Sequence, residues 1–231
     1  MFLDFAAMEP RQAYQWMVSA IVPRPIAWVS TLSPDGRANL APFSFFQGVT
    51  CNPPTLLFIP ANTRDGRKKD TLRNIEANGE FVVSLPSFAQ AEQMNATAAL
   101  LPYGESEFEA FGVAAAPSQR VKPPRVAESG VAFECTCLQI VPVGEGPFAA
   151  NVVFGRILCA HVRDDILGAD GAIDPARQDA IGRMGGESYT RTRERFALAR
   201  PDRANLGPPL PPGPVAPPPA SAPSVPAPGA A

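Results

Sequence analysis

The chain of 231 residues has one histidine and four cysteines. A single imidazole, His161, excludes His-rich metal centres and paired-histidine zinc motifs. Four thiols, Cys51, Cys135, Cys137 and Cys159, are a poor basis for a disulfide framework in a domain of this size. Cys135 and Cys137 stand two apart in a strand-like run and so share one face. A C-x-C pair with no second cluster makes a weak zinc site, so the thiols read as buried and free, and no metal is expected. Surplus charge is also missing. With 20 basic against 22 acidic residues, the net charge is −2, and no basic excess exists to neutralise the phosphates of a nucleic acid or an anionic membrane. No apolar run approaches the roughly 20 residues needed to span a bilayer. The first residues, Met1-Phe-Leu-Asp-Phe-Ala-Ala-Met-Glu9, carry acid where a signal peptide carries base. The expected compartment is the cytoplasm. G-x-S-x-G, a Walker A loop and a G-x-G-x-x-G after the first strand are all lacking. Such a shortage of acid–base equipment is what a chain shows when a cofactor supplies the chemistry.

What is present centres on residues 23–49, PRPIAWVSTLSPDGRANLAPFSFFQGV. Ile26 to Leu32 is apolar and partly β-branched, as a buried strand is. Ser33-Pro34-Asp35-Gly36 supplies turn chemistry, and Arg37 to Ser44 returns as a second strand, giving a hairpin. Pro42 predicts that this strand ends or bulges there, leaving backbone groups around Ser44 to Gly48 open to a ligand. Residues 10–20 predict an amphipathic helix with Tyr14, Met17 and Val18 on one face. Pro53 to Ile59 is a third strand and Glu80 to Leu85 a fourth. Between them, Asn62-Thr-Arg-Asp-Gly-Arg-Lys-Lys-Asp70 is a basic loop entering a helix over 71–78, with Asp70 as its N-cap and Gly79 its stop. Basic side chains before a helix N-terminus suit a phosphate, although such runs are also solvated loops. Helices are expected over 88–101, 105–111 and 176–181, and long strands over 131–141 and 151–162, with Gly155 as a bulge or bend. The 117–130 segment reads as a surface loop. From Gly207 onward eleven of 25 residues are proline. We therefore divide the chain into a domain over 1–203 and a disordered, polyproline-leaning tail over 204–231.

These motifs taken in order resemble the flavin reductase-like family. The segments are PRPIAWVST…DG…N-x-APFSFF, Asp65-Gly-Arg-Lys-Lys-Asp-Thr71, Gly79-Glu-Phe-Val-Val83, Glu92-Gln-Met-Asn95 and Thr192-Arg-Glu-Arg-Phe196, and the resemblance spans about residues 10–200. It implies a mainly β fold with peripheral helices (α+β), an FMN-binding split β-barrel, and a homodimer. It implies NAD(P)H-dependent flavin reduction, in which hydride passes from nicotinamide C4 to flavin N5, and a monooxygenase partner that consumes the reduced FMN. Positioning, with donors near the flavin N1 and C2 carbonyl, would be the protein's task. By resemblance Phe43, Ser44, Phe45 and Phe46 line the flavin ring edge, and Ser30, Thr31, Arg67, Lys69 and Thr71 hold the ribityl phosphate. Core packing is the competing role for Phe45 and Phe46, and neighbour-bonded strand positions the competing role for Ser30 and Thr31. Many relatives carry a histidine facing the nicotinamide where this chain has Asn151. His161 reads either as a packed, hydrogen-bonded residue or as a functional one. Tyr189 and Arg193 would approach the outer face of the flavin, or anchor the surface. Two other readings stay open: an FMN-bound electron-transfer protein without nicotinamide turnover, and a barrel binding module with no redox role.

Overall fold

A computed structural model describes residues 1–200. The expectation for the tail over 204–231 lies outside the described residues. Residues Met1–Arg195 form one compact unit. Helix α1 (Pro10–Ala20) precedes the short β1 (Arg24–Pro25), the hairpin strands β2 (Ala27–Leu32) and β3 (Ala38–Phe43), then β4 (Phe46–Cys51) and β5 (Pro54–Phe58). Next come α2 (Asp70–Asn78), β6 (Glu80–Leu85), α3 (Ala91–Ala96), α4 (Glu107–Ala110) and the ribbon β7 (Ala115–Ala116) and β8 (Arg125–Val126). The long β9 (Val131–Val143) and β10 (Ala150–Val162) follow, then α5 (Pro175–Gln178), β11 (Ile181–Arg183) and β12 (Tyr189–Arg191).

Seven strands form one antiparallel sheet in the order β3-β2-β6-β9-β10-β5-β4. Its two ends curl together. The Phe43 ring of β3 lies 5.2 Å from Phe58 of β5, and Phe58 lies 5.4 Å from Phe81 of β6. The Ile59 N–H donates to the Phe45 carbonyl at 3.0 Å. Apolar packing closes the barrel where no ladder joins β3 to β4, which makes it split, and the Ile59–Phe45 bond extends the β4–β5 pairing. The fold is thus mainly β with peripheral helices. Leu72 and Ile75 of α2 plug the interior alongside Val29, Leu56, Val83, Cys135 and Val153. On the other face of β2 and β3, Trp28 and Leu40 pack against Met94 and Phe108. Both faces of β2 are therefore covered, which explains the apolar run from Ile26 to Val29.

Several expectations change on contact with tertiary structure. Pro42 neither ends nor bulges β3, which stays in register with β2 through Trp28 opposite Pro42. β3 is an edge strand, where a missing donor is tolerated. Of the Ser44 to Gly48 stretch expected as open backbone, Phe46 to Gly48 belongs to the strand Phe46–Cys51, paired with β5. The N-cap of α2 is Lys69, with Asp70 as the first helical residue, while Gly79 caps the other end at φ 70° as expected. The helix expected over 88–101 is a 3-10 turn followed by α3, which stops at Ala96. There the Thr97 hydroxyl donates to the Met94 carbonyl and accepts from the Trp28 indole, both at 2.8 Å. On α1 only Val18 is buried, and Tyr14 and Met17 are exposed. Of the four free thiols Cys135 is buried, whereas Cys51 is exposed.

Gly155 sits at the expected irregularity, a register shift between Phe154 and Gly155. The cause is a close approach: a Cβ at this position would lie 2.3 Å from Cζ of the fully buried Phe81. Gly155→Ala should therefore lower stability by about 1–3 kcal/mol, the usual cost of overpacking. A thermal melt reads the effect, and an unchanged melting temperature would show that the Phe81 ring has room to shift.

Candidate functional site

Two adjoining cavities flank the β3 exit. The larger, about 750 Å³, is lined by Asn39, Ala41, Thr63, Arg67, Lys69, Thr71, Arg73, Tyr103 and Glu107, together with residues 97–101. The smaller, about 550 Å³, is lined by Tyr14, Arg24, Ser44, Asn95, Arg183 and Tyr189, among others. Pro42 and Ala98 line both. The early end of α3 builds part of this wall, because residues 97–101 leave the helix and line the larger cavity.

The larger cavity has anion-binding chemistry. The Leu72 and Arg73 N–H groups bond the Lys69 carbonyl, leaving those of Asp70 and Thr71 without an intrahelical partner at the positive end of α2. Lys69 forms no ion pair among the described residues, and its ammonium lies 5.4 Å from the Phe43 ring centroid. Burial pushes its pKa down, the sign of a cation short of water or a counter-ion. Arg67 is mostly exposed and paired with Asp65 at 2.5 Å. Thr71 is buried and donates to Asn39 Oδ1 at 2.9 Å. Asn39 in turn donates to both oxygens of Glu107, which also accepts from the Leu40 N–H at 2.8 Å. Glu107 and Asp70 stand against an anion here. Burial pushes both carboxyl groups up, which favours their neutral forms and lessens the repulsion.

The smaller cavity is edged by polar groups. Tyr189 donates to Asn95 Oδ1 at 3.0 Å and accepts from Arg183, whose guanidinium lies 4.5 Å from the Tyr189 ring centroid. Arg24 is 4% exposed and donates to the carbonyls of Val18, Ile21 and Met184, so it pins α1 to the β11 region.

The structure brings Ser44, Arg67, Lys69, Thr71 and Tyr189 to the cavity walls. Phe43 belongs to the barrel core, Phe46 packs against it, and Phe45 meets Tyr14 edge-on at 6.4 Å. Ser30 and Thr31 lie outside both cavities. Both are fully buried; Ser30 donates to the Pro124 carbonyl, and Thr31 joins Asn39 and Asn74. Asn151 is also elsewhere, donating to the Pro60 carbonyl and Asn62 Oδ1 to fasten the strand exit. His161 is bonded to Glu134 at 2.5 Å, away from both cavities. Arg193 pairs with Asp179 at 2.9 Å. Sequence reasoning passed over Asn39, Asn95, Arg24, Arg183 and Glu107 as site residues. Asn39, Asn95 and Arg24 sit inside motifs that marked the resemblance, and Arg183 and Glu107 carried no local signal.

The model of the flavin reductase like domain matches residues 18–176. The chain belongs to the flavin reductase-like family. A family relative from Deinococcus radiodurans is 39% identical over 204 residues, covering 85% of this chain and 88% of its own. Among solved structures, nitrilotriacetate monooxygenase component B from Bacillus cereus is 30% identical with a TM-score of 0.81, over 86% of this chain and 98% of its own. The 2-nitrobenzoate 2-nitroreductase of Pseudomonas fluorescens is 28% identical with a TM-score of 0.78, over 87% and 96%. The flavoredoxin of Desulfovibrio vulgaris, at 21% identity and TM-score 0.67 over 86% and 97%, shares the fold. Family membership supports flavin binding and an oxidoreductase role. No described helix is long and apolar enough to cross a membrane.

Proposed function

We propose that this protein is an NAD(P)H-dependent FMN reductase. The observation that carries the reading is the pair of adjoining cavities: one presents Lys69 and the start of α2, the other Ser44 and the Arg183–Tyr189–Asn95 chain. A cofactor with a phosphate at one end and a flat heteroaromatic ring at the other fits that order of groups. FMN would supply the redox chemistry, taking a hydride from the nicotinamide. Lys69 and the Asp70 and Thr71 N–H groups would hold the phosphate, Asn39 would keep Thr71 oriented, and Ser44 would meet the ring edge. Asn151 and His161 are committed to other partners, so Tyr189, with Arg183 and Asn95, is the group best placed to orient the nicotinamide.

The remaining assignments follow the same reading. The protein acts in the cytoplasm as a homodimer, supported by the exposed apolar side chains Tyr14, Trp16, Met17 and Ile21 on and beside α1. Its reduced FMN serves a monooxygenase, supported by the similarity to a monooxygenase component. Titration with FMN, followed by flavin fluorescence, tests the cofactor. Saturable binding of one FMN per chain is expected, and no saturable binding would remove the proposal.

A further inference from the structure

A second cluster of reactive side chains lies on the β9–β10 hairpin, and none of its members lines either cavity. Glu134, Cys159 and His161 each offer a ligand atom, and these atoms all lie within 4.8 Å of one another. The chain spacing alone gave no such site, because the carboxylate comes from the neighbouring strand. A one-residue shift in pairing brings the three together. Up to Ile157, which faces Cys135, regular pairing would set Leu158 opposite Glu134 and turn Cys159 towards the barrel interior. The register shift between Ile157 and Cys159 instead sets Cys159 opposite Glu134 and His161 opposite Ala132. Cys159 and His161, two apart, then share the face of Glu134. A bulge that re-aims two ligating side chains at a buried carboxylate is a feature of the fold, not an accident of surface composition.

We propose that Glu134, Cys159 and His161 form a binding site for a divalent transition metal of the zinc class. The donor set is one hard carboxylate oxygen, one borderline imidazole nitrogen and one soft thiolate, a mixed N/O/S set that suits zinc, while the thiolate disfavours calcium or magnesium. Three protein ligands leave a fourth position for water. The outer support is in place: the fully buried Glu134 carboxylate accepts N–H bonds from Gln119, Arg120 and Val121 at 2.7, 2.5 and 3.1 Å, which fixes its orientation. Two adjacent strands hold the ligands, a more rigid frame than a loop. The His161 side chain keeps 21% of its surface exposed, which gives an ion a way in. Burial and the Glu134 carboxylate push the Cys159 thiol up, with Arg120 acting the other way. A cation between thiol and carboxylate reverses that balance. On binding, the Cys159 S–H proton leaves to solvent as the metal–sulfur bond forms, and His161 joins through its neutral ring with the hydrogen bond to Glu134 given up.

The test uses the purified full chain with zinc chloride, followed calorimetrically, and with cobalt chloride, followed by absorbance. One metal per chain and a thiolate-to-cobalt charge-transfer band are expected. Cys159→Ser should abolish the band and weaken zinc binding by more than about 100-fold, beyond what loss of a supporting contact costs. Cys51→Ser, an exposed thiol elsewhere, should leave both unchanged. His161→Ala should weaken zinc binding while the protein stays folded by circular dichroism. Absence of stoichiometric uptake would overturn the proposal. So would uptake that Cys159→Ser leaves intact, or a cobalt complex with no charge-transfer band.

Discussion

Lys69→Ala should weaken FMN binding by about 10- to 100-fold and leave riboflavin binding nearly unchanged. The expected loss corresponds to one charge-assisted hydrogen bond, about 1.5–3 kcal/mol. Lys69 is the cation in the larger cavity without a carboxylate partner among the described residues, whereas Arg67 is engaged by Asp65. Burial lowers its pKa, so its charge is less screened than that of a surface lysine and a phosphate gains more from it. Riboflavin has the ring and ribityl chain but no phosphate, so the comparison isolates that group. Equal losses for both ligands would place Lys69 near the ring. No loss for either would remove it from the site. The neighbouring Thr71 is a poorer first choice for mutation, because its hydroxyl also holds Asn39.

Glu134→Ala should cost about 4 kcal/mol of stability, enough to remove much of a typical domain's margin. The carboxylate is completely buried and accepts from three successive backbone N–H groups of the 119–121 loop. Truncation leaves all three donors dry and unpaired. Burial alone would raise the pKa of this group, but the amide donors and His161 outweigh it and the net shift is downward. A lowered folded-state pKa means that Glu134 contributes stability above the ordinary carboxylate pKa and loses it as pH falls through the folded value. Denaturant melts across the acid range should therefore show a shallower loss of stability in the variant than in the parent protein. Parallel acid limbs in the two proteins would show that Glu134 is not ionised in the folded state.

Where the chain's signals were local, the sequence could be read directly. The β2–β3 hairpin follows from its apolar run and the Ser33–Gly36 turn, and the α2 stop from the glycine at position 79, which takes a left-handed φ in the structure. The long β9 and β10 announce themselves by length and β-branched content. β4 did not, because Gln47, Gly48 and Thr50 are exposed and leave no buried period to detect. The premature end of α3 depends on Trp28, 69 positions away from Thr97, which no window reading can see. The site divides the same way. Lys69 and Ser44 were legible because a basic loop before a helix and a hydroxyl after a strand are local patterns. Arg24, Arg183 and Glu107 act through carbonyls and amides brought to them by the fold. Ser30 and Thr31 illustrate the reverse case, polar residues on a strand whose neighbours satisfy them completely.

The central claim is that a flavin held in these cavities is reduced by a nicotinamide. Anaerobic stopped-flow absorbance at the flavin band, with FMN bound and NADH or NADPH added, tests it most directly. Rapid bleaching with at least one nucleotide is the predicted result. Flavin that binds and stays oxidised with both nucleotides would contradict the reductase and leave an electron-transfer protein fed by another donor.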